Sequence, residues 1–531
     1  MNKSSGTPSH RAQEARPIHR IKVSPPVATD APPVEIRADV LQSFLSDAAH
    51  VPGGTALGVV FPKSATEVAA LVRSARRVLP IGAQSSLTGG ATPRGDLLIS
   101  TRALTEISLL PGSLVRVGAG VRLAELRRVL AIDALYYPPI PTYDGAFVGG
   151  TIATNAAGAA TFKYGSTRPW VEALTVVLAD GSLAEIRRGT VTASPEGWFE
   201  FEYDSGRVDR VPVPTYSMPD VAKLSAGYYA KPGMDLIDLF IGSEGTLGIV
   251  TSAILRVIAL PRRLVALVPF DSDHQAVALT AALRRAARSS WRGEGHVDVS
   301  AIEFMDGRAL ALVPDEAFTR AGVERPGRDS GLLLVQIELA GDDDQVLQEM
   351  SAILQACGIE SDPQVALPDD DRGAARLFDL REAVPSSLNA MIAAAKLRVH
   401  PDLQKTAGDF VVPFERLEES LTMYREVFAR FGLEHALWGH VSDGNMHPNL
   451  VPRSIEDVHR AKEALLEMAR GVGAMHGAPL AEHGVGRSAL KQQMLRELYG
   501  EEGIEEMRAV KRALDPDWKL AAGVLFPELA S

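Results

Sequence analysis

Three histidines and a carboxylate lie in two short, glycine-flanked segments, Gly439-His440-Val441-Ser442-Asp443-Gly444-Asn445-Met446-His447 and Ala481-Glu482-His483-Gly484. Asp-Gly is a strong two-residue hairpin signal. His440 and His447 stand three positions to either side of Asp443-Gly444. A two-residue turn there makes them direct cross-strand neighbours on one sheet face, with Cβ atoms roughly 5 Å apart. That spacing suits two imidazoles on one metal ion. With Glu482 added, two nitrogens, a carboxylate and open positions describe a catalytic divalent-metal site. In an extended segment neighbours alternate between faces. His483 therefore reaches the same place as Glu482 only through a local bend. A lone histidine is more often a structural hydrogen-bonder, but four such groups in two such segments point to a site.

A second chemistry is written in glycines. Pro80 to Pro93 reads PIGAQSSLTGGATP, combining Gly82, Gly89 and Gly90 with the hydroxyls of Ser85, Ser86 and Thr88. Glycine lets backbone N–H groups approach an anion, and hydroxyls add donors. This suits a diphosphate. No Lys-Ser/Thr follows, so it is not a Walker loop, and Gly118-Ala119-Gly120 lacks the third glycine of a Rossmann fingerprint. Further glycine-rich stretches lie at 117–120, 146–181 and 242–248. Backbone nearly free of side chains at four places suggests a groove for a large flat ligand such as a dinucleotide.

With GGTIATNAAG, KYGST and VVLADG following one another, and with GSEGTLGIVT, the chain resembles the FAD-linked oxidases of the vanillyl-alcohol-oxidase type. Within that type it most resembles the branch of D-lactate, glycolate and D-2-hydroxyglutarate dehydrogenases. The resemblance runs from about Val60 to Pro527. It implies an α+β protein with an N-terminal two-subdomain FAD-binding fold, then an α+β substrate (cap) domain with a C-terminal helical segment returning to the flavin. The implied flavin contacts are Pro80, Gly82, Ala83, Gln84, Ser85, Ser86, Gly89 and Gly90 for the diphosphate, and Pro141, Gly149, Gly150, Thr151, Asn155, Gly158, Gly165, Glu244, Gly245, Ile249 and Asn445 around the rest. Ala83 and Gln84 depart from the commoner glycines, and LDPDWKLAAGVLFP lacks the Asn-Pro-Gly-Lys that often follows Asp-Pro in relatives. The loop holds no His or Cys, so non-covalent FAD is expected.

In metal-using relatives the positions matching His440, His447 and Glu482 bind a divalent cation, often zinc, and the position matching His483 is the catalytic base. Arg381 fits the relatives' carboxylate-binding arginine, and Lys405 lies near a substrate-contacting basic residue. The implied reaction is oxidation of a D-2-hydroxy acid, D-lactate-like, to the 2-oxo acid. The electrons pass to an external acceptor: cytochrome c, an electron-transfer flavoprotein or a quinone. The alternative on the same scaffold is an alcohol oxidase or a transferase resembling alkylglycerone-phosphate synthase, but those transferases carry a run of three histidines that this chain lacks.

The elements that must position these groups are legible in outline. Ser64-Ala65-Thr66-Glu67 is a capping box opening a helix with Val68, Leu71, Val72, Ala75 and Leu79 on one face. Strands are expected at 97–99, 114–117 and 174–179, with a hairpin turn at Asp180-Gly181. Residues 131–158 read as irregular backbone packed against something. Beyond about 263, strands (LVALVPF, GLLLVQIEL) alternate with amphipathic helices, one built on Phe414, Leu417, Leu421, Tyr424 and Phe428, another starting after Ser454. The acidic runs Asp342–Asp344 and Asp369–Asp371 read as solvated loops. Expected boundaries are a disordered tail over 1–33, a flavin domain over 34–262 and a cap with the C-terminal segment over 263–531.

Composition bounds the rest. The 531 residues, 46% hydrophobic and 23% charged, exceed one ordinary core. A formal charge of −11 lacks the field that gathers nucleic acid, so an anionic substrate needs local positive charge. The single cysteine, Cys357, excludes an intramolecular disulfide and a Cys-ligated cluster. No apolar run reaches ~18 residues, and the N-terminus has no hydrophobic core of a secretion signal. A cytoplasmic location is expected, with peripheral membrane attachment and a homodimer both allowed.

Overall fold

The computed structural model describes residues 18–139, 141 and 143–528. Two sheets build the core of the first domain. The strands Thr55–Val60, Arg94–Ser100 and Val78–Ile81 form a parallel sheet with Arg94–Ser100 central. A five-stranded antiparallel sheet follows, ordered Ile107–Leu110, Leu114–Gly118, Ile249–Arg256, Val171–Val177, Leu183–Arg187. The glycine-rich loop leaves the carboxyl end of Val78–Ile81, where ligands gather in open α/β sheets. Ser64 caps the helix Ala65–Ser74 by accepting from Glu67 N at 3.2 Å, but the Glu67 carboxylate reaches Lys63 N rather than Ser64 N. That helix stops at Ser74, so Leu79 belongs to a strand.

The second domain is a seven-stranded antiparallel sheet, ordered Gln364–Ala366, Arg262–Phe270, Gly331–Leu339, Asp298–Asp306, His435–His440, Asn445–Leu450, Phe410–Val411. One face carries Asp273–Ser290 and Leu417–Arg430, and Asp371–Arg398 packs on the other. The expected helix after Ser454 is Ile455–Ala474, burying Val458, Ala461, Leu465 and Met468. The C-terminal chain then turns back. Helix Ala489–Leu514 leads to Leu520, which bridges Val78 at the edge of the parallel sheet. Lys511 Nζ, fully buried, donates to Thr246 O and Leu520 O, both at 2.7 Å. Among the described residues no helix is long and apolar enough to cross a membrane.

Several expectations need correction. The expected tail over 1–33 is too long: Arg20–Val23 is a strand paired in parallel with Trp198–Tyr203, burying Ile21 and Val23. Two buried apolar side chains suffice where a partner edge is already built. Residues 1–17 lie outside the described residues. The acidic runs are not free loops, since Asp342 and Asp370 cap the helices Asp343–Ala356 and Asp371–Arg398, where carboxylates meet unpaired N–H groups. The stretch 131–158 contains a short helix, Val148–Ala153.

His435 gives a stability prediction independent of the site. Its ring stacks on Phe428 at 4.7 Å between centroids, 4% exposed, with Nε2 unpartnered. Burial first, then Arg308, lowers its pKa to about 4. The fold therefore holds the neutral form. Stability is full above pH ~6.5 and falls as pH drops toward 4, because the unfolded chain takes up the proton first. At pH 5 this amounts to about 2 kcal/mol. His435→Phe keeps the stack and should flatten that part of the acid limb in urea unfolding at pH 7.5 and 5; an unchanged pH slope would refute it.

Candidate active site

The hairpin that carries two of the histidines differs from the sequence expectation in register. Val441–Asp443 forms a 3₁₀ turn and Gly444 follows at φ +82°, so four residues, not two, close the turn. His440 pairs with Asn445, and His447 pairs with Trp438. The register moves by two residues, which preserves the face on which side chains project. His440 and His447 are thus diagonal neighbours with ring centroids 5.5 Å apart.

Three imidazoles converge on one atom. Glu482 Oε1 lies 3.3 Å from His440 Nε2, 3.3 Å from His447 Nε2 and 3.6 Å from His483 Nε2. The other Glu482 oxygen is taken by Lys223 Nζ at 2.9 Å, and the fully buried Lys223 also meets Asp443 at 3.1 Å. The two outer histidines are held from behind. Glu303 binds His440 Nδ1, and Asp409 Oδ2 lies 2.9 Å from His483 Nδ1. Anchoring Nδ1 aims Nε2. Glu482 and His483 share this point because the chain curls there. Their successive N–H groups both donate to Asp409 Oδ2, at 3.1 and 2.9 Å. Two adjacent N–H groups on one oxygen require a nest-like bend, which removes the alternation expected of an extended segment. Asp409, His447, Glu482 and His483 offer ligand atoms all within 4.8 Å of one another. His440 stands outside that group but touches the same Glu482 oxygen.

Glu303, Asp409, Asp443 and Glu482 face Lys223, Arg381 and Lys491. Burial alone would lower the His440 pKa, but Glu303 pulls it up to about 9. Burial likewise opposes ionisation of Glu303, yet Arg381 and His440 bring it down to about 2. Arg381 lies buried on the inner face of Asp371–Arg398, not on the surface. Its Nε and Nη2 reach Glu303 at 2.7 and 2.6 Å, and Nη1 reaches Glu382 at 2.9 Å. Lys405 has no carboxylate partner among the described residues. Its ammonium lies 5.8 Å from the Trp438 ring centre, and burial, then Arg381, lowers its pKa to about 8.

One cavity of about 1420 Å³ joins this cluster to the glycine-rich loops. Of the residues expected to contact a dinucleotide, Pro80, Gly82, Ala83, Gln84, Ser85, Ser86, Gly90, Pro141, Gly149, Gly150, Thr151, Glu244, Gly245 and Ile249 line it. Arg381, Lys405, His440, His447, Glu482 and His483 line it too. Five expected contacts lie off the wall. Asn155 is turned to Leu224 O and Arg168 N, and Gly158 N meets Thr161 Oγ1. Gly165 ends a helical turn at φ +73°, and Gly89 makes a turn at φ +71°. Asn445 is buried against Phe410 O and Asp409, bracing the cluster instead.

The loop fits an anion. From Ala83 to Gly90, Thr88 alone has a backbone N–H that meets an acceptor among the described residues, Ser86 Oγ at 3.2 Å. The loop is pinned from outside: buried Asp47 accepts from Ala91 N and Thr92 Oγ1, and the Gln84 amide donates to Phe44 O and Ala91 O. Gln84 itself sits at φ +53°. Glu244 accepts from Val485 N and Gly486 N at 2.8 and 2.9 Å, fastening the His483 loop to the first domain; burial lifts its pKa to about 7.

Gly149 and Gly150 separate packing from binding. A Cβ on Gly149 would stand 2.6 Å from Ala119 Cβ, whereas one on Gly150 meets nothing within 4 Å. Gly149→Ala should therefore lose about 1–3 kcal/mol of stability. Gly150→Leu should fold normally yet hold flavin at least a hundredfold more weakly in apoprotein titration. Full flavin loading of Gly150→Leu would show that no ligand occupies that space.

Sequence reasoning missed Lys223, Glu303 and Asp409. Each comes from a segment far from the histidines, and no local spacing marks them.

Residues 56–187 match the FAD binding domain family, and residues 260–525 match the family described as FAD linked oxidases, C-terminal domain. The chain is similar to a probable mitochondrial D-lactate dehydrogenase of Danio rerio, 30% identical over 86% of this chain and 82% of that one. It is also similar to glycolate oxidase subunit GlcD of Bacillus subtilis, 28% identical over 88% of each. A solved alkyldihydroxyacetonephosphate synthase shares the fold with a TM-score of 0.57 and 16% identity, over 89% of this chain and 77% of that one.

Proposed function

This chain belongs to the FAD-linked oxidases, and on that premise we propose that it oxidises a D-2-hydroxy acid, D-lactate-like, to the 2-oxo acid. His440, His447 and Glu482 would hold a divalent cation, zinc by its liking for nitrogen and carboxylate ligands. Non-covalent FAD in the glycine-lined part of the cavity would accept the hydrogen and electron pair from Cα. The cation would supply Lewis acidity toward the α-hydroxyl.

The chain's own residues do the rest. His483 Nε2 takes the hydroxyl proton, with Nδ1 held by Asp409. The substrate carboxylate meets Lys405, whose ammonium is unpaired, and shares Arg381 with Glu303 and Glu382. Electrons leave to an external acceptor, with cytochrome c, an electron-transfer flavoprotein and a quinone as the candidates.

One observation carries this reading: a single cavity is lined at once by the anion-seeking loop and by the imidazole–carboxylate cluster. Anaerobic mixing with D-lactate, glycolate, D-2-hydroxyglutarate and D-mandelate tests it. At least one should bleach the flavin band within seconds, and its L-enantiomer, where one exists, should not. A flavin-loaded protein that no D-2-hydroxy acid reduces would overturn the reading.

A further inference from the structure

We propose that Asp409 is a positioning residue of this reaction, one buried carboxylate that fixes both the imidazole of His483 and the backbone on which Glu482 and His483 stand. The proposal rests on the reading of His483 as the proton acceptor.

Asp409 immediately precedes the edge strand Phe410–Val411 of the seven-stranded sheet. The segment bearing Glu482 is stitched along that edge. Val411 N donates to Ala478 O at 2.9 Å, Ala478 N to Val411 O at 2.8 Å, and Ala481 N to Asp409 O at 3.1 Å. The backbone ladder stops there, and the next two N–H groups, of Glu482 and His483, go to the Asp409 side chain instead. Without it both would lose their acceptor, and unpaired backbone donors are costly. The same oxygen faces His483 Nδ1 at 2.9 Å. Two backbone donors and a ring nitrogen thus crowd Oδ2, while Oδ1 faces the Asn445 amide at 3.4 Å and His447 Nδ1 at 3.8 Å. An oxygen so occupied is a poor candidate for a metal ligand, although Asp409 lies within ligand distance of the cluster.

The arrangement has a consequence for the proton. A carboxylate beside Nδ1 favours the tautomer protonated there, which leaves the free lone pair on Nε2. As the substrate O–H bond breaks, its proton passes to Nε2, and the positive charge that forms on the ring faces a carboxylate 2.9 Å from Nδ1. Asp409 stays ionised and gains no proton. An amide in its place could still accept from the backbone but could not offset that charge, and it could hold the wrong tautomer.

The test uses flavin-loaded Asp409→Asn, His483→Ala and the double variant, with D-lactate in anaerobic stopped flow. Asp409→Asn should keep its flavin and cation content and its affinity for oxalate, an inert carboxylate, while the flavin-reduction rate constant falls at least a hundredfold. In the His483→Ala background the same change should lower the rate less than threefold, because both substitutions remove one device. Reduction by Asp409→Asn within threefold of the parent, or losses that multiply in the double variant, would overturn the proposal. Unimpaired reduction by His483→Ala would instead overturn the reading beneath it. If Asp409→Asn does not fold with flavin, Asp409→Glu decides. It keeps the charge but displaces it by a methylene, and should still lose at least tenfold in rate with flavin retained; a parental rate would refute the positioning role.

Discussion

Flavin-loaded His483→Ala is expected to stay yellow when a D-2-hydroxy acid is added. The rate constant for flavin reduction should fall by about 10³-fold, within the range a positioned general base supplies. Flavin binding should survive, because the groups proposed to form its cradle are loop backbone between Ala83 and Gly90 and the open space over Gly150. Cation content should survive as well, since the proposed ligands His440, His447 and Glu482 are untouched. The variant removes only the ring between Asp409 Oδ2 and Glu482 Oε1. Stopped-flow absorbance with elemental analysis separates these readouts. Normal bleaching would remove His483 from the chemistry, and loss of flavin would show that its role is structural.

How much of this was legible beforehand depends on range. Devices closed within a few residues read well: the Ser64 cap with its Glu67 partner and the Ser454 start of a long helix. The Asp443-Gly444 turn is two residues longer than its dipeptide suggests, because a 3₁₀ turn ending in a left-handed glycine uses the same dipeptide as a two-residue hairpin. The face survived since the error was an even number of residues. Glu303, Asp409 and Lys223 could not be seen at all. Glu303 meets His440 because Asp298–Asp306 and His435–His440 are neighbouring strands, a pairing between segments 137 residues apart. Lys223 comes from an irregular stretch of the first domain that reaches across to Glu482, 259 residues away. The bend at Glu482-His483 was also hidden, since its cause is the Asp409 side chain and not the local sequence.

Removing the cation should have an effect nearly as large as removing His483. Dialysis against a strong chelator is expected to leave the flavin spectrum intact, slow its reduction by D-lactate about a thousandfold, and let stoichiometric Zn²⁺ restore it. The size follows from a Lewis acid contributing several kcal/mol at the reacting oxygen, with ~1.4 kcal/mol per tenfold. The site argues for a cation on two grounds. First, Lys223 occupies Glu482 Oε2, so a single oxygen, Oε1, is left among three imidazole nitrogens. Second, Asp409, His447, Glu482 and His483 offer ligand atoms all within 4.8 Å of one another. A cation-free protein that reduces its flavin at the parental rate would mean that the imidazoles around Glu482 bind substrate directly.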